Sequence, residues 1–388
     1  MQHIYLQNHN IITKTKSDEV HLIKQKKISY NENEFFFWIH NHEKCKHKKP
    51  FKYNRIIYQN IFNNLINNYK NSINNSTIIL EYTNGYKYLK KLTVKNIIKN
   101  VHNICNITTH LLFAPLTSTA FEAVDHCYKV NYCYNLVELD ISNNHIASLK
   151  ALNKCINLKN IDCSQNKLIS LIGLENCVEL NCLNCSQNEI LTFRDTIRNM
   201  KNLKIIECSR NKLTTLNGLE RCTKLYFIAC SNNDLSSLDG INKCINMWAI
   251  CCFKNKIKSL HALSEFTKLK YLSCSSNNLT TLNGLNNCVN LHKLDCSFNN
   301  IKTLHGIINC INLIELNCIY NKIKTLFGIN NCVNLEKLDC VMNDIKSLND
   351  LNNCFNLREV NCDLIKIRPV QLKFFKATHR NILFTDKY

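Results

Sequence analysis

From Leu136 to about Ile367 the chain repeats one arrangement of apolar and polar positions every 22 residues. Copies begin at Leu136, Leu158, Leu180, Leu203, Leu225, Met247, Leu269, Leu291, Leu313, Leu335 and Leu357. Nine of the ten intervals are 22 residues; the tenth is 23, where "FRDTIRNMKNL" carries one extra residue. The shared pattern is L-x-x-L-x-C-S-x-N-x-[IL]-x-[ST]-L-x-G-[LI]-x-x-C-x-N. Positions 4 and 6 are apolar while 3, 5 and 7 are mostly polar, the period-two alternation of a short half-buried strand. A single unit cannot bury its own apolar face, because ordering it costs roughly 1.5 kcal/mol per residue. Stacking supplies the core, so the repeats predict a solenoid whose ends need caps.

Two polar positions punctuate each unit. Position 9 is asparagine in ten consecutive copies: Asn144, Asn166, Asn188, Asn211, Asn233, Asn255, Asn277, Asn299, Asn321 and Asn343. An amide flanked by apolar positions can satisfy backbone groups as the chain leaves the strand, and can bridge neighbouring coils. Position 16 holds six of the seven glycines, which suits a tight bend on the return path.

This pattern resembles the 22-residue class of leucine-rich repeats found in internalins and in regulatory subunits of protein phosphatase 1. The resemblance implies an α/β-type repeat solenoid, a curved array with a concave parallel β-sheet that generally binds proteins. The Asn-Ile-Lys bias beside a cysteine-rich repeat also resembles repeat proteins of amoeba-infecting giant viruses, which implies the host cytoplasm. The departure from the family is cysteine at positions 6 and 20, as in Cys163, Cys185, Cys296 and Cys310, where leucine-like residues are usual. Cysteine as a small buried hydrophobe is the favoured reading. Redox and metal roles stand as alternatives, although parallel strands hold Cβ atoms about 4.8 Å apart, beyond the ~3.8 Å of a disulfide.

On such a scaffold, binding is expected where outward positions break the repeat's polar rule. Position 5 is often acidic (Asp140, Asp162, Glu207, Asp295, Asp339) and position 7 usually serine. Repeats five to seven instead carry Tyr226, Phe227, Ala229, Trp248, Ala249, Cys251, Phe253 and Tyr271, and Phe298, Tyr320 and Met342 follow at position 8. Aromatic anchors on a rigid sheet have the composition of a protein-binding hot spot. The predicted partner site is therefore Tyr226, Phe227, Trp248, Phe253, Tyr271, Asp295, Phe298 and Tyr320 on the concave face; inward packing or a covering segment is the alternative. A lysine edge at positions 10 and 12 (Lys256, Lys258, Lys302, Lys322, Lys324, Lys346) reads as solvated surface ahead of a site for an acidic partner.

Residues 1–110 do not repeat and read as a basic α+β module. An amphipathic helix runs through Ile57, Ile61, Leu65 and Tyr69, a hairpin turns at Asn84-Gly85, and a second helix lies around Ile97–Ile104. A linker or cap (111–135), the array (136–367) and a terminal cap (368–388) complete the expected organisation. Residues 1–100 hold 17 Lys/Arg against 6 Asp/Glu, so they supply +11 of the net +20. With Phe35, Phe36, Phe37, Trp38, Phe51 and Tyr53 nearby, nucleic-acid binding there is the alternative function. His40, His42, Cys45 and His47 could bind zinc, but their spacing fits no standard site and four lysines lie between or directly after them.

The remaining readings are exclusions. No run approaches the ~18–20 apolar residues of a membrane span. The N-terminus lacks a signal-peptide core, so the 24 cysteines read as reduced thiols of an intracellular protein. No P-loop, HExxH, GxSxG or kinase signature is present. The expectation is a monomeric, cofactor-free, non-enzymatic scaffold that captures a protein, with an adaptor role as a further alternative.

Overall fold

A computed structural model describes residues 4–6, 77–80, 110–113, 136–378 and 382–385. Each repeat contributes one three-residue strand at its positions 3 to 5, from Glu138–Asp140 in the first to Glu359–Asn361 in the eleventh. Successive strands pair in parallel and without a register shift: Leu272 lies opposite Ile250 on one side and Leu294 on the other. Fifteen strands form one sheet in chain order. The three-residue strands stop at position 5, and position 8 then takes a positive φ in ten successive turns as the chain leaves the sheet.

The core is a set of columns running the length of the array. Positions 1, 4, 6, 11, 14, 17 and 20 point inward, and in one turn these are Leu269, Leu272, Cys274, Leu279, Leu282, Leu285 and Cys288, all buried. The return side is built from turns and short 3-10 segments such as His261–Leu263 and His305–Ile307. A 22-residue circuit is too short to hold a longer element opposite the strand. The one α-helix among the described residues, Pro369–Thr378, belongs to the terminal cap. There Phe375 is buried against Phe384, and strand Leu383–Thr385 pairs with Glu359–Asn361.

The chain divides into two compact units, Met1–Tyr5 with Thr77–Tyr388, and Leu6–Ser76. Strands Thr77–Leu80 and His110–Phe113 pair in parallel with each other and with Glu138–Asp140, ahead of the first repeat. Pairing there satisfies the edge N–H and C=O groups that the first repeat would otherwise present. Thr77–Leu80 is an arm of the expected hairpin, yet its described partner is parallel; the second arm and both expected helices lie outside the described residues.

The position-16 glycines are required by the neighbouring coil. Five have φ between +103° and +114°, but Gly306 does not, and at all six a Cβ would run into the backbone of the preceding turn. At Gly284 it would strike the Leu260 carbonyl with φ at +107°. Gly284→Ala is expected to lose about 2 kcal/mol or more in urea unfolding, from strain plus displaced backbone. An unchanged midpoint would show that the coils part at no cost.

Candidate functional site

The outward face of the sheet is built by positions 3, 5 and 7, and its two ends differ from its middle. In the flanking strands the outward residues are partly exposed, as at Asn160–Asp162 and Lys293–Asp295. In the five strands from Cys182–Asn184 to Tyr271–Ser273 all three residues are buried, so both faces are withdrawn from solvent.

That burial decides where the predicted aromatic residues stand. Phe227, Phe253 and Tyr271 are buried, contrary to the exposed positions expected for them. Tyr226 and Trp248, at position 2, are half-buried. Period-two alternation assigns a side chain to a face of the sheet; it does not say what that face meets. Trp248 packs edge-to-face on Tyr271 with centroids 4.6 Å apart, and Tyr271 reaches the His292 ring at 6.3 Å. Tyr226, Phe227, Trp248, Cys251, Phe253 and Tyr271 are all engaged in contacts. Trp248, Tyr271 and His292 thus form one run of ring contacts on the outward side.

Phe298 and Tyr320 do not belong to it. They stand at position 8, on the turn that leaves the sheet, where ten successive turns place a non-glycine residue at φ between 51° and 58°. Their rings stack on each other, 5.2 Å apart and 14° from parallel. Asp295 does lie on a strand, but its Oδ1 accepts hydrogen bonds from the Ser297 hydroxyl (2.7 Å) and backbone N–H (3.1 Å).

The same local bond explains much of the acidic row. Asp162 accepts from the Ser164 hydroxyl and N–H, and Asn184 holds Ser186 likewise. An Asp or Asn at position 5 thus ties down position 7 as the strand ends, a role that the D-x-S spacing carries in the sequence. Between turns, the Asn184 amide donates to Asp162 Oδ2 at 3.0 Å, and Asn361 to Asp339 at 3.1 Å. Burial, then the neighbouring Asp140 carboxylate, pushes Asp162 up to about 7. Burial, then Asp162, pushes Glu207 up to about 8, and Glu207 Oε2 has no hydrogen-bond partner. These carboxyls ionise near pH 4 when unfolded. The row therefore costs stability as pH rises from about 4 towards neutrality.

The ten position-9 asparagines run alongside, inside the turn. Asn277 is representative: its Nδ2 donates to the Cys274 carbonyl in its own turn (3.1 Å) and to Cys252 in the preceding one (3.0 Å), while its Oδ1 accepts the Ile257 N–H at 2.9 Å. Two further asparagine ladders cross the exposed return side. At position 22, Asn246, Asn290, Asn312, Asn334 and Asn356 each donate to the turn before, as do Asn176, Asn287, Asn309 and Asn331 at position 19. The recurring Asn at position 22 was the signal for one of them.

All described cysteines are free and buried. Their thiols also donate: Cys163 to the Asn184 carbonyl at 3.3 Å, and Cys177 and Cys244 to Cys155 and Cys222 at 3.4 Å. A leucine could fill the space but could not make that bond between coils. Among the described residues no group of three or more His, Cys, Asp or Glu is placed to hold a metal ion, and His40, His42, Cys45 and His47 lie outside them. No helix among them is long and apolar enough to cross a membrane.

Comparison with known proteins agrees with this architecture. The family described as "Leucine Rich repeats (2 copies)" matches residues 134–176 and 267–309. Among solved structures, an internalin of Listeria monocytogenes superposes with a TM-score of 0.65 at 18% identity, over 75% of this chain and 86% of the internalin. A leucine-rich-repeat protein of Leptospira interrogans gives 0.59 at 20% identity, over 72% and 76%. A plant peptide hormone receptor in complex with RGF2 gives 0.54 at 20% identity, over 74% and 52%. No curated protein sequence matches the chain. These likenesses establish the fold.

Proposed function

We propose that this leucine-rich-repeat solenoid is a non-enzymatic scaffold that captures a protein partner on the outward, concave face of its sheet. The observation that carries the reading is chemical. In repeats five to seven the outward positions hold Phe227, Ala249, Cys251, Phe253 and Tyr271, with Trp248 at position 2 packed on Tyr271, where the other turns mostly hold Asp, Asn and Ser. A rigid aromatic floor between acidic ends is suited to anchoring one partner and orienting it by charge. The solved receptor complex similar to this chain is a ligand-bound relative in fold. The 22-residue, cysteine-bearing repeat type, akin to those of giant viruses, and an intracellular location with reduced thiols belong to the same proposal.

The test is cross-linking and capture from the native cell, comparing the full chain with Trp248→Ala/Phe253→Ala. A protein held by the native chain and lost by the variant, at an unchanged thermal midpoint, is the expected result. Loss of folding would assign these side chains to structural packing, and unchanged capture would move the interface off this face.

A further inference from the structure

On one edge of the solenoid, two exposed aromatic stacks bracket a column of lysines. In the turns beginning at Leu291 and Leu313, Phe298 stacks on Tyr320, and seven positions later His305 stacks on Phe327 at 5.8 Å and 5°. Phe298, Tyr320 and Phe327 keep 50%, 54% and 47% of their surface exposed. Between the stacks, at position 12, stand Lys302 and Lys324, and Lys346 continues the column in the next turn. Adjacent turns set these ammonium stems about 4.8 Å apart at the backbone. None of the ion pairs formed among the described residues involves them. At positions 8, 10 and 12 of these three turns the only carboxylate is Asp344, set against Lys302, Lys322, Lys324 and Lys346.

Three features point to a ligand. Like charges stacked directly opposite one another destabilise a sheet-like array, so the lysine column gains most from an anion that follows it. Phe298, Tyr320 and Phe327 each leave about half of their surface open beside that column. The backbone carries Phe298 at φ 51° and Tyr320 at φ 57°, a conformation that bulky residues rarely adopt, where seven earlier turns use Asn, Gln, Arg, Lys or Ser. A groove of about 410 Å³ adjoins the second stack, lined by His261, Asn283, Asn286, Asn287 and His305. Its amides and imidazoles offer both donors and acceptors.

We infer that this edge binds single-stranded polynucleotide, with bases stacked on the Phe298–Tyr320 and His305–Phe327 pairs and phosphates along Lys302, Lys324 and Lys346. A duplex hides its base faces, and an acidic peptide would need an aromatic residue in register with each stack, whereas every nucleotide of an unpaired strand carries both a base and a phosphate. The site lies on the turns that leave the sheet, not on its outward face.

The experiment is fluorescence anisotropy of the full chain with a labelled oligoadenylate of about 12 nucleotides, within the usual range of single-strand sites. Phe298→Ala/Tyr320→Ala is expected to weaken binding at least about tenfold, as lost base stacking does, at an unchanged salt dependence. Lys302→Glu/Lys324→Glu/Lys346→Glu is expected to weaken it too, and to lower the slope of log affinity against log salt by about 2. All five side chains are exposed, and thermal midpoints verify folding. Absence of binding, equal affinity for a duplex of the same length, or undiminished binding by the folded lysine variant would each overturn the inference.

Discussion

Brought from pH 7.5 to above pH 9 under reducing conditions, the solenoid is expected to unfold cooperatively, and to refold when neutral pH is restored. Eighteen thiols are pushed well above the ordinary range, in nearly every case by burial first; Cys155 and Cys354 rise to about 11, Cys222, Cys244 and Cys288 to about 12, and others further. In the unfolded chain the same thiols ionise near pH 8.5. Above that value the unfolded state binds fewer protons than the native one, so stability falls with pH by about 1.4 kcal/mol per unit for each thiol. A single cysteine in this situation is a minor effect. Summed over the column it is on the order of 3 kcal/mol at pH 8 and 15 kcal/mol at pH 9, against a typical stability of 5–15 kcal/mol. Far-UV circular dichroism against pH, with thiolate absorbance at 240 nm (a wavelength set by the probe, not the protein), checks it. A sheet signal intact to pH 10 while thiolate appears would mean that the thiols ionise in place and that water reaches them. The asset of a small buried core residue is thus tied to a neutral or acidic environment.

The second large effect is expected from one amide. Asn277→Ala removes the donor to the carbonyls of Cys252 and Cys274 and the acceptor for the Ile257 N–H, all in the buried interior between two turns. Each buried backbone group left without a partner costs about 1–3 kcal/mol, so about 3–4 kcal/mol is expected in urea unfolding. The exposed Asn290, which makes its bond to the Thr267 carbonyl at 2.8 Å on the return side, supplies the comparison. Water replaces that bond, and Asn290→Ala is expected to change stability by less than about 1 kcal/mol. Because each coil touches only its neighbours, the Asn277 loss should also split the transition. Equal effects at the two sites would mean that the inner ladder is hydrated.

The architecture was legible because a repeated unit states its own packing rule eleven times over. An inward Leu at position 4 and an outward Asp at position 5 have one consistent arrangement if every turn is alike. An Asn at position 9 beside two buried positions has an evident task, since its amide bonds must be satisfied somewhere. A tight bend on the return path accounts for the position-16 glycines only in part. Gly306 lacks the positive φ of its counterparts, and what all six share is the backbone of the preceding coil, a neighbour 22 or more residues away.

The candidate site was harder for the same reason. Phe227, Phe253, Phe298 and Tyr320 all break the polar rule, and the sequence treats them as one group. The strand ends between positions 5 and 8, so the first two pack into the central surface while the last two stack on an exposed edge. His305 and Phe327 stand in separate repeats and meet as a stack only because adjacent turns bring their rings together. The repeat period by itself determined the solenoid, its inward columns and its asparagine ladder, since these follow from local alternation repeated with a single one-residue insertion. Which thiols bridge coils, which aromatic residues share a surface and which lysines stand unpaired were decided only by the tertiary structure, because each depends on what the next turn places about 5 Å away.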